Sequence, residues 1–136
     1  MHRIMIKVRG YHLDVYGHVN NARYLEFLEE ARWAFIEQEM PISQFEQKGI
    51  AFVVVNININ YRQPALLDQV VEIQTEMVKL GGRSAKIHQE IFLTGTTQRI
   101  ADADITFVAI DIKTNQVLVM EGELRRLLES YPVKPV

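Results

Sequence analysis

The chain has 136 residues, 48% of them hydrophobic and 24% charged, which fits one globular domain and excludes a disordered or collagen-like chain. Its 15 Lys and Arg against 17 Asp and Glu give a formal net charge of -2, so there is no overall positive field to gather nucleic acid or an anionic membrane, and a phosphate-bearing ligand needs a local patch. The absence of cysteine removes disulfides, thiolate metal sites and a Cys nucleophile.

At the N-terminus Ile4, Ile6 and Val8 alternate with Met5, Lys7 and Arg9, which predicts a strand. The alternation starts too early for a signal peptide, and no apolar run reaches the roughly 18 residues of a membrane span. A cytoplasmic protein without membrane insertion is the expectation. Gly10 ends the strand, and Tyr11 to Asn20 has neither period, which predicts a structured loop.

From Asn21 to Gln38 the sequence is helical in pattern, with Tyr24, Phe27, Leu28, Ala31, Ala34 and Phe35 on one side and Arg23, Glu26, Glu30 and Glu37 on another. Asn20 is placed to cap it, and Pro41 to stop it. After a loop containing Gly49, Ile50 to Tyr61 is the strongest strand. Strict alternation puts Val53, Val55, Ile57, Ile59 and Tyr61 on one face and Phe52, Val54, Asn56, Asn58 and Asn60 on the other, a face that changes from dry to wet along its length.

Arg62-Gln63-Pro64 ends that strand. Val70 to Leu80, Ser84 to Thr94 and Arg99 to Ile112 predict three more, divided by Gly81-Gly82, read as a tight hairpin with positive φ, and by Gly95-Thr96-Thr97. A turn through Asp111, Lys113, Thr114 and Asn115, a short strand from Val117 to Met120, a terminal helix from Glu123 to Leu128 and a frayed tail from Tyr131 to Val136 complete the chain. One long helix among antiparallel strands predicts an α+β domain over residues 1–136, with the sheet curled around the helix.

The segment His12-Leu13-Asp14-Val15-Tyr16-Gly17-His18-Val19-Asn20-Asn21 gathers polar groups just before a helix start. The first amides of a helix lack intrahelical partners and carry partial positive charge, so a carbonyl oxygen docked there is stabilised as it gains negative charge. Asp14 beside it can attack the carbonyl carbon or activate a water, with the amide near Asn21 holding the oxyanion. On the residues alone, a loop that merely caps the helix accounts for the pattern equally well.

Two hydrolase classes find little support. His12, Asp14 and His18 are possible metal ligands, but no helical His pair with metal spacing is present. Ser43, Ser84 and Ser130 lie outside any GxSxG elbow.

The string Asp14-Val15-Tyr16-Gly17-His18-Val19-Asn20-Asn21-Ala22-Arg23-Tyr24 resembles the signature of the 4-hydroxybenzoyl-CoA thioesterase branch of the hotdog enzymes. Further similarity runs through Lys7 to Asp14, Leu25 to Trp33, Ala51 to Arg62 and Glu121 to Arg125. The resemblance implies a hotdog fold and cleavage of acyl-CoA, with long-chain acyl groups, into fatty acid and CoA, with no cofactor and no metal. It implies Asp14 as the catalytic carboxylate and the Asn21 amide as the group that polarises the thioester carbonyl. Plant acyl carrier protein thioesterases have a similar string with a catalytic histidine, which makes His18 a helper here, although Tyr16 stands where they carry asparagine.

Tyr24 and the pair Arg83-Ser84 are implied as substrate contacts, the pair at CoA phosphates, with Arg62 and Lys86 as weaker candidates. A homodimer or homotetramer with active sites at the dimer interface is also implied. The alternatives within the fold are an enoyl-thioester hydratase and a non-catalytic acyl-CoA binding protein. Glu26, Glu29 and Glu30 read as a solvated helix face, His88 with Lys86 and Glu90 as a solvated strand face, His2 as a residue near a terminus, and Asp102 and Asp104 as ion-pair or interface residues.

Overall fold

The alternating segments do form strands, and the structure, a computed structural model, describes residues 1–40 and 42–130. The strands are β1 (His2–Lys7), β2 (Ile50–Tyr61), β3 (Val70–Leu80), β4 (Ala85–Leu93) and β5 (Arg99–Asp111). They form a single sheet in the order β1-β3-β4-β5-β2, every neighbour antiparallel. The long helix α1 (Asn21–Glu39) lies on the inner face of this sheet, chiefly over β3 and β1. This is the α+β hotdog arrangement. No helix among the described residues is long and apolar enough to cross a membrane.

Helix α1 begins where the sequence places it. The Asn20 side chain accepts a hydrogen bond from the Ala22 amide at 2.8 Å, satisfying one orphan donor of the first turn. Tyr24, Phe27, Leu28, Ala31 and Phe35 are buried, a stripe at helical spacing that faces Val71, Ile73, Ile91 and Ile105 in one core. Each such fully buried large side chain contributes about 1.5–3 kcal/mol. Pro41, the expected stop, lies outside the described residues, as does the tail from Tyr131.

Several local expectations are corrected. A short helix, α2 (Ser43–Gln47), occupies part of the expected loop and is pinned by buried Phe45. Val117 to Met120 is no strand but a single bridge from Val117 to Ile110. β4 begins at Ala85 opposite Phe107, and beyond it the end of β5 is met by the Val117 bridge and by the Leu118 amide, which donates to the Ala109 carbonyl at 2.8 Å. The terminal helix, α3 (Gly122–Glu129), is present. Positive φ occurs at Gly17, Gly49, Gly95 and Gly122 rather than at Gly81 or Gly82. Gly81 is needed for close approach instead, since a Cβ on it would stand 3.2 Å from the Ser84 carbonyl oxygen. His2 is buried, edge-on to Phe35, with its Nε2 2.7 Å from Gln38 Oε1.

The largest correction concerns β2. Its pairing with β5 slips by one residue at Val55, where Val54 faces Phe107 and Asn56 faces Thr106. Such a bulge leaves the extra residue unpaired and exchanges the two faces of the strand beyond it. Phe52 therefore shares the inner face with Ile57 and Ile59, which pack on the core, while Asn56, Asn58 and Asn60 turn outward opposite Thr106, Asp104 and Asp102. The apparent change from dry to wet on one face is a change of face.

The outer face carries a charged row. Arg62 Nε donates to Asp102 at 2.6 Å, and the ring nitrogens of His88 stand 2.8 Å from Asp104 and 3.1 Å from Glu90. Burial, the largest single influence, pushes the His88 pKa down, but hydrogen bonds to Asp104 and Glu90 together with their charges outweigh it and hold the ring above its ordinary value. A raised folded-state pKa contributes stability that is complete below the unfolded value, about 6.5, and is lost as pH rises through the folded value. The stability gap between the wild type and His88→Gln is thus expected to be largest near pH 5.5–6 and to shrink toward pH 8. Denaturant midpoints showing a constant gap would contradict this.

Candidate active site

The loop between β1 and α1 is stitched shut before it delivers its side chains. Leu13 bridges Val19, and the Asp14 amide donates to the His18 carbonyl at 2.8 Å. Between them the chain reverses through Gly17 at φ 74°, a conformation glycine takes without a Cβ penalty. The segment after β2 holds the loop from outside, with the Val19 amide donating to the Ala65 carbonyl at 3.0 Å and His18 bridging Leu66.

Asp14 is oriented by this turn. Its Oδ1 accepts from the Tyr16 amide at 2.9 Å and more distantly from the His18 amide at 3.4 Å. Among the described residues no donor takes the other carboxylate oxygen. The Asn21 amide, at the first position of α1, likewise has no acceptor among the described residues, as expected of an orphan donor. Asp14, His18, Asn21 and Tyr24 share one open cavity of 230 Å³ with Tyr61, Arg62, Gln63 and Pro64. A carboxylate and an unpaired helix-start amide in one cavity can act on a carbonyl carbon and its oxygen together.

Tyr24 forms a wall rather than a donor. It is buried, and its hydroxyl accepts from the Ala65 amide at 2.9 Å. Burial raises its pKa most; the Ala65 hydrogen bond opposes this, and the nearby charge of Asp14 adds to the rise. His12, a possible metal ligand by residue type, points elsewhere. Its Nδ1 accepts from the Arg9 amide at 2.8 Å, its ring meets Phe27 edge-on, and burial leads the lowering of its pKa. It is a neutral packing residue. No group of three or more metal-ligating His, Asp or Glu is assembled among the described residues.

A family model described as the thioesterase-like superfamily matches residues 8–128. The chain belongs to this superfamily. Among its relatives is the long-chain acyl-CoA thioesterase FadM of Escherichia coli strain K12, 57% identical over 125 residues covering 92% of this chain and 95% of that protein. The acyl-CoA thioester hydrolase YbgC of Escherichia coli O6:H1 is 32% identical over 72% of this chain and 73% of its own length. The crystal structure of the probable thioesterase YbaW from Escherichia coli superposes with a TM-score of 0.91 at 54% identity, covering 96% of this chain and 98% of that one.

Within this thioesterase-superfamily chain, the structure brings together Asp14, His18, Asn21 and Tyr24 but not Arg83 and Ser84. The hairpin bearing that pair is beside α3, where the Met120 amide donates to the Gly82 carbonyl. It stands at the opposite end of β3 and β4 from Val70 and Leu93, and Val70 lies at the Asp14 end, beside Gln69, which is bonded to Val8. Arg62 does line the cavity, although its guanidinium is engaged by Asp102.

Tyr61 is the site residue that sequence reasoning missed. Its hydroxyl donates to the Asn21 carbonyl at 3.1 Å and its ring lies 5.6 Å from that of Tyr24, so it fixes the helix start against the end of β2. The signal was its place in the row Ile57, Ile59, Tyr61. Glu26 pairs with Arg23 at 3.0 Å on the helix surface, and Glu29 and Glu30 are exposed.

Proposed function

We propose that the protein hydrolyses long-chain acyl-CoA to free fatty acid and CoA. The observation that carries this reading is the Asp14 carboxylate sharing a cavity with the unpaired Asn21 amide, supported by membership of the thioesterase-like superfamily and by 57% identity to a long-chain acyl-CoA thioesterase. Asp14 attacks the thioester carbonyl or activates a water to do so, the oxyanion is held at the Asn21 amide, and the C–S bond breaks to release the CoA thiolate, which takes up a proton; where Asp14 itself attacks, a water then cleaves the resulting anhydride to free the fatty acid and the carboxylate. His18, on the cavity wall, supports the proton transfers. The compartment is the cytoplasm, where CoA thioesters are held.

Thiol release from palmitoyl-CoA tests the reaction. Stoichiometric free thiol is expected; loss of enoyl absorbance without thiol from a 2-enoyl-CoA assayed beside it would make the protein a hydratase, and binding of both without turnover a carrier.

A homodimer paired along β2 completes the reading. β2 is a sheet edge of 12 residues, with Val53, Val54 and Val55 exposed. An unprotected edge of this length is a template for a second strand. Antiparallel pairing about a two-fold axis carries the partner's β3–β4 hairpin to the Asp14 end, which is how Arg83 and Ser84 come to serve CoA phosphates. Sedimentation at micromolar concentration is expected to give a dimer or a dimer of dimers; a monomer would remove both the pairing and this role for Arg83.

A further inference from the structure

An amide that holds an oxyanion has to point at the same place in every turnover, and a helix start is the part of a helix least able to guarantee this. The first turn lacks half of its backbone bonds and frays first. Around Asn21 the loop and the helix supply only short-range bonds. The Asn20 amide donates to the His12 carbonyl at 2.9 Å, the Asn20 carbonyl accepts from the Arg23 amide at 2.9 Å, and the Asn20 side chain accepts from the Ala22 amide at 2.8 Å. None of these ties the turn to the sheet.

Two bonds do reach the turn from the end of β2 and the segment after it. The Ala65 amide donates to the Tyr24 hydroxyl, and so holds a side chain. The Tyr61 hydroxyl donates to the Asn21 carbonyl at 3.1 Å, and so holds the backbone of the residue that shares the cavity with Asp14. A carbonyl oxygen has two lone pairs, and Tyr61 takes the one that the helix ladder leaves. The base of this strut is stiff. Tyr61 is paired with Ala101 of β5, and just beyond it the Arg62 and Gln63 amides both donate to the Ile100 carbonyl, at 2.8 and 3.1 Å. The ring itself leans on that of Tyr24, 5.6 Å away and tilted by 52°, and a tyrosine has only two torsions to freeze.

We propose that Tyr61 is a positioning residue for the hydrolysis: acting through the Asn21 backbone, its hydroxyl keeps the oxyanion amide aimed at the carbonyl oxygen beside Asp14. It rests on the acyl-CoA reading above. The effect on rate and the effect on stability differ in size. Tyr61 is 43% exposed, and a hydrogen bond that water can replace adds little to stability. An oxyanion donor, by contrast, acts only within about 2.7–3.1 Å of the charge, and its complete removal lowers kcat by about 10²–10³. A donor that is kept but loses its aim falls short of that loss, at about tenfold.

The test is Tyr61→Phe in the full-length protein, which keeps the ring and removes the O–H. Thiol release from palmitoyl-CoA is expected to show kcat about tenfold lower with KM within about twofold, at an unchanged melting temperature. A trifluoromethyl ketone analogue of palmitoyl-CoA, whose hydrate presents a tetrahedral oxygen, is expected to bind about tenfold more weakly, while a thioether analogue without the carbonyl binds as before. The nuclear-relaxation order parameter of the Asn21 amide is expected to fall from a rigid value of about 0.85 toward about 0.6.

A variant kcat within about twofold of wild type overturns the role. A KM that rises while kcat holds also overturns it, because the hydroxyl is then a substrate contact. A slower variant with a lower melting temperature and an unchanged order parameter makes the bond a scaffold contact and overturns the role as well. If the wild type releases no thiol from any acyl-CoA, the reading of the site falls and this role with it, whereas an unchanged order parameter with thiol release intact removes Tyr61 alone.

Discussion

Asp14→Asn is expected to lower kcat for palmitoyl-CoA about 10³-fold, a loss of roughly 4 kcal/mol in transition-state stabilisation, with KM changed little. The asparagine retains an oxygen to accept from the Tyr16 amide, as Asp14 Oδ1 does at 2.9 Å, so the turn and the fold survive while the reactive carboxylate is gone. Asp14→Ala removes that acceptor as well, and is expected to add a stability loss of about 1 kcal/mol. The contrast separates chemistry from scaffolding: the two variants share the rate loss, and only alanine lowers the melting temperature. An asparagine variant within tenfold of wild type would remove Asp14 from the mechanism. In oxygen-labelled water, single-turnover labelling of the Asp14 side chain would identify it as the nucleophile.

Gln89→Leu should produce the largest loss of stability among conservative substitutions on the sheet. Gln89 is completely buried. Its Nε2 donates to the Leu28 carbonyl and to Thr75 Oγ1, each at 3.0 Å, and its Oε1 accepts from Arg32 at 3.1 Å. Leucine fills the same space but takes the acceptor away from a guanidinium whose pKa is already lowered, mainly by burial. The expected cost is about 3 kcal/mol, mostly desolvated polar groups left unpaired. It is read as a lower denaturant midpoint with an unchanged slope, at fixed protein concentration because association contributes to the measured stability. A loss under about 1 kcal/mol would mean that water replaces the amide at no great cost.

The elements that the sequence displayed clearly were those in which one periodicity ran unbroken to a chemical stop. α1 showed both its stripe and its Asn20 cap, and β3, β4 and β5 alternated between glycine-bearing turns. Asp14 and Asn21 were legible because they are close in the chain, and a helix start has the same electrostatics wherever it occurs. Tyr61 and Gln89 were not, because each acts through a contact with a residue 40 or more positions away, Tyr61 with Asn21 and Gln89 with Leu28, and no local pattern encodes such a pairing. A buried glutamine on an otherwise apolar strand face reads as an exception until the carbonyl above it is seen. The hairpin at Gly81 was anticipated for the wrong reason, since crowding against Ser84 and left-handed torsion both select glycine.

The slip at Val55 also predicts how the protein tolerates length changes. Deleting that residue would restore uninterrupted pairing with β5 and leave both halves of β2 on their present faces, Val54 still opposite Phe107 and Asn56 opposite Thr106. Deleting a paired residue such as Ile57 instead shifts one part of the strand by one position and turns side chains to the wrong face. Insertion of a residue into the exposed turn at Gly95 to Thr97 disturbs no such phase relation. Length variants of this chain should therefore survive at that turn and by loss of Val55 itself, and be absent from the paired positions of β2.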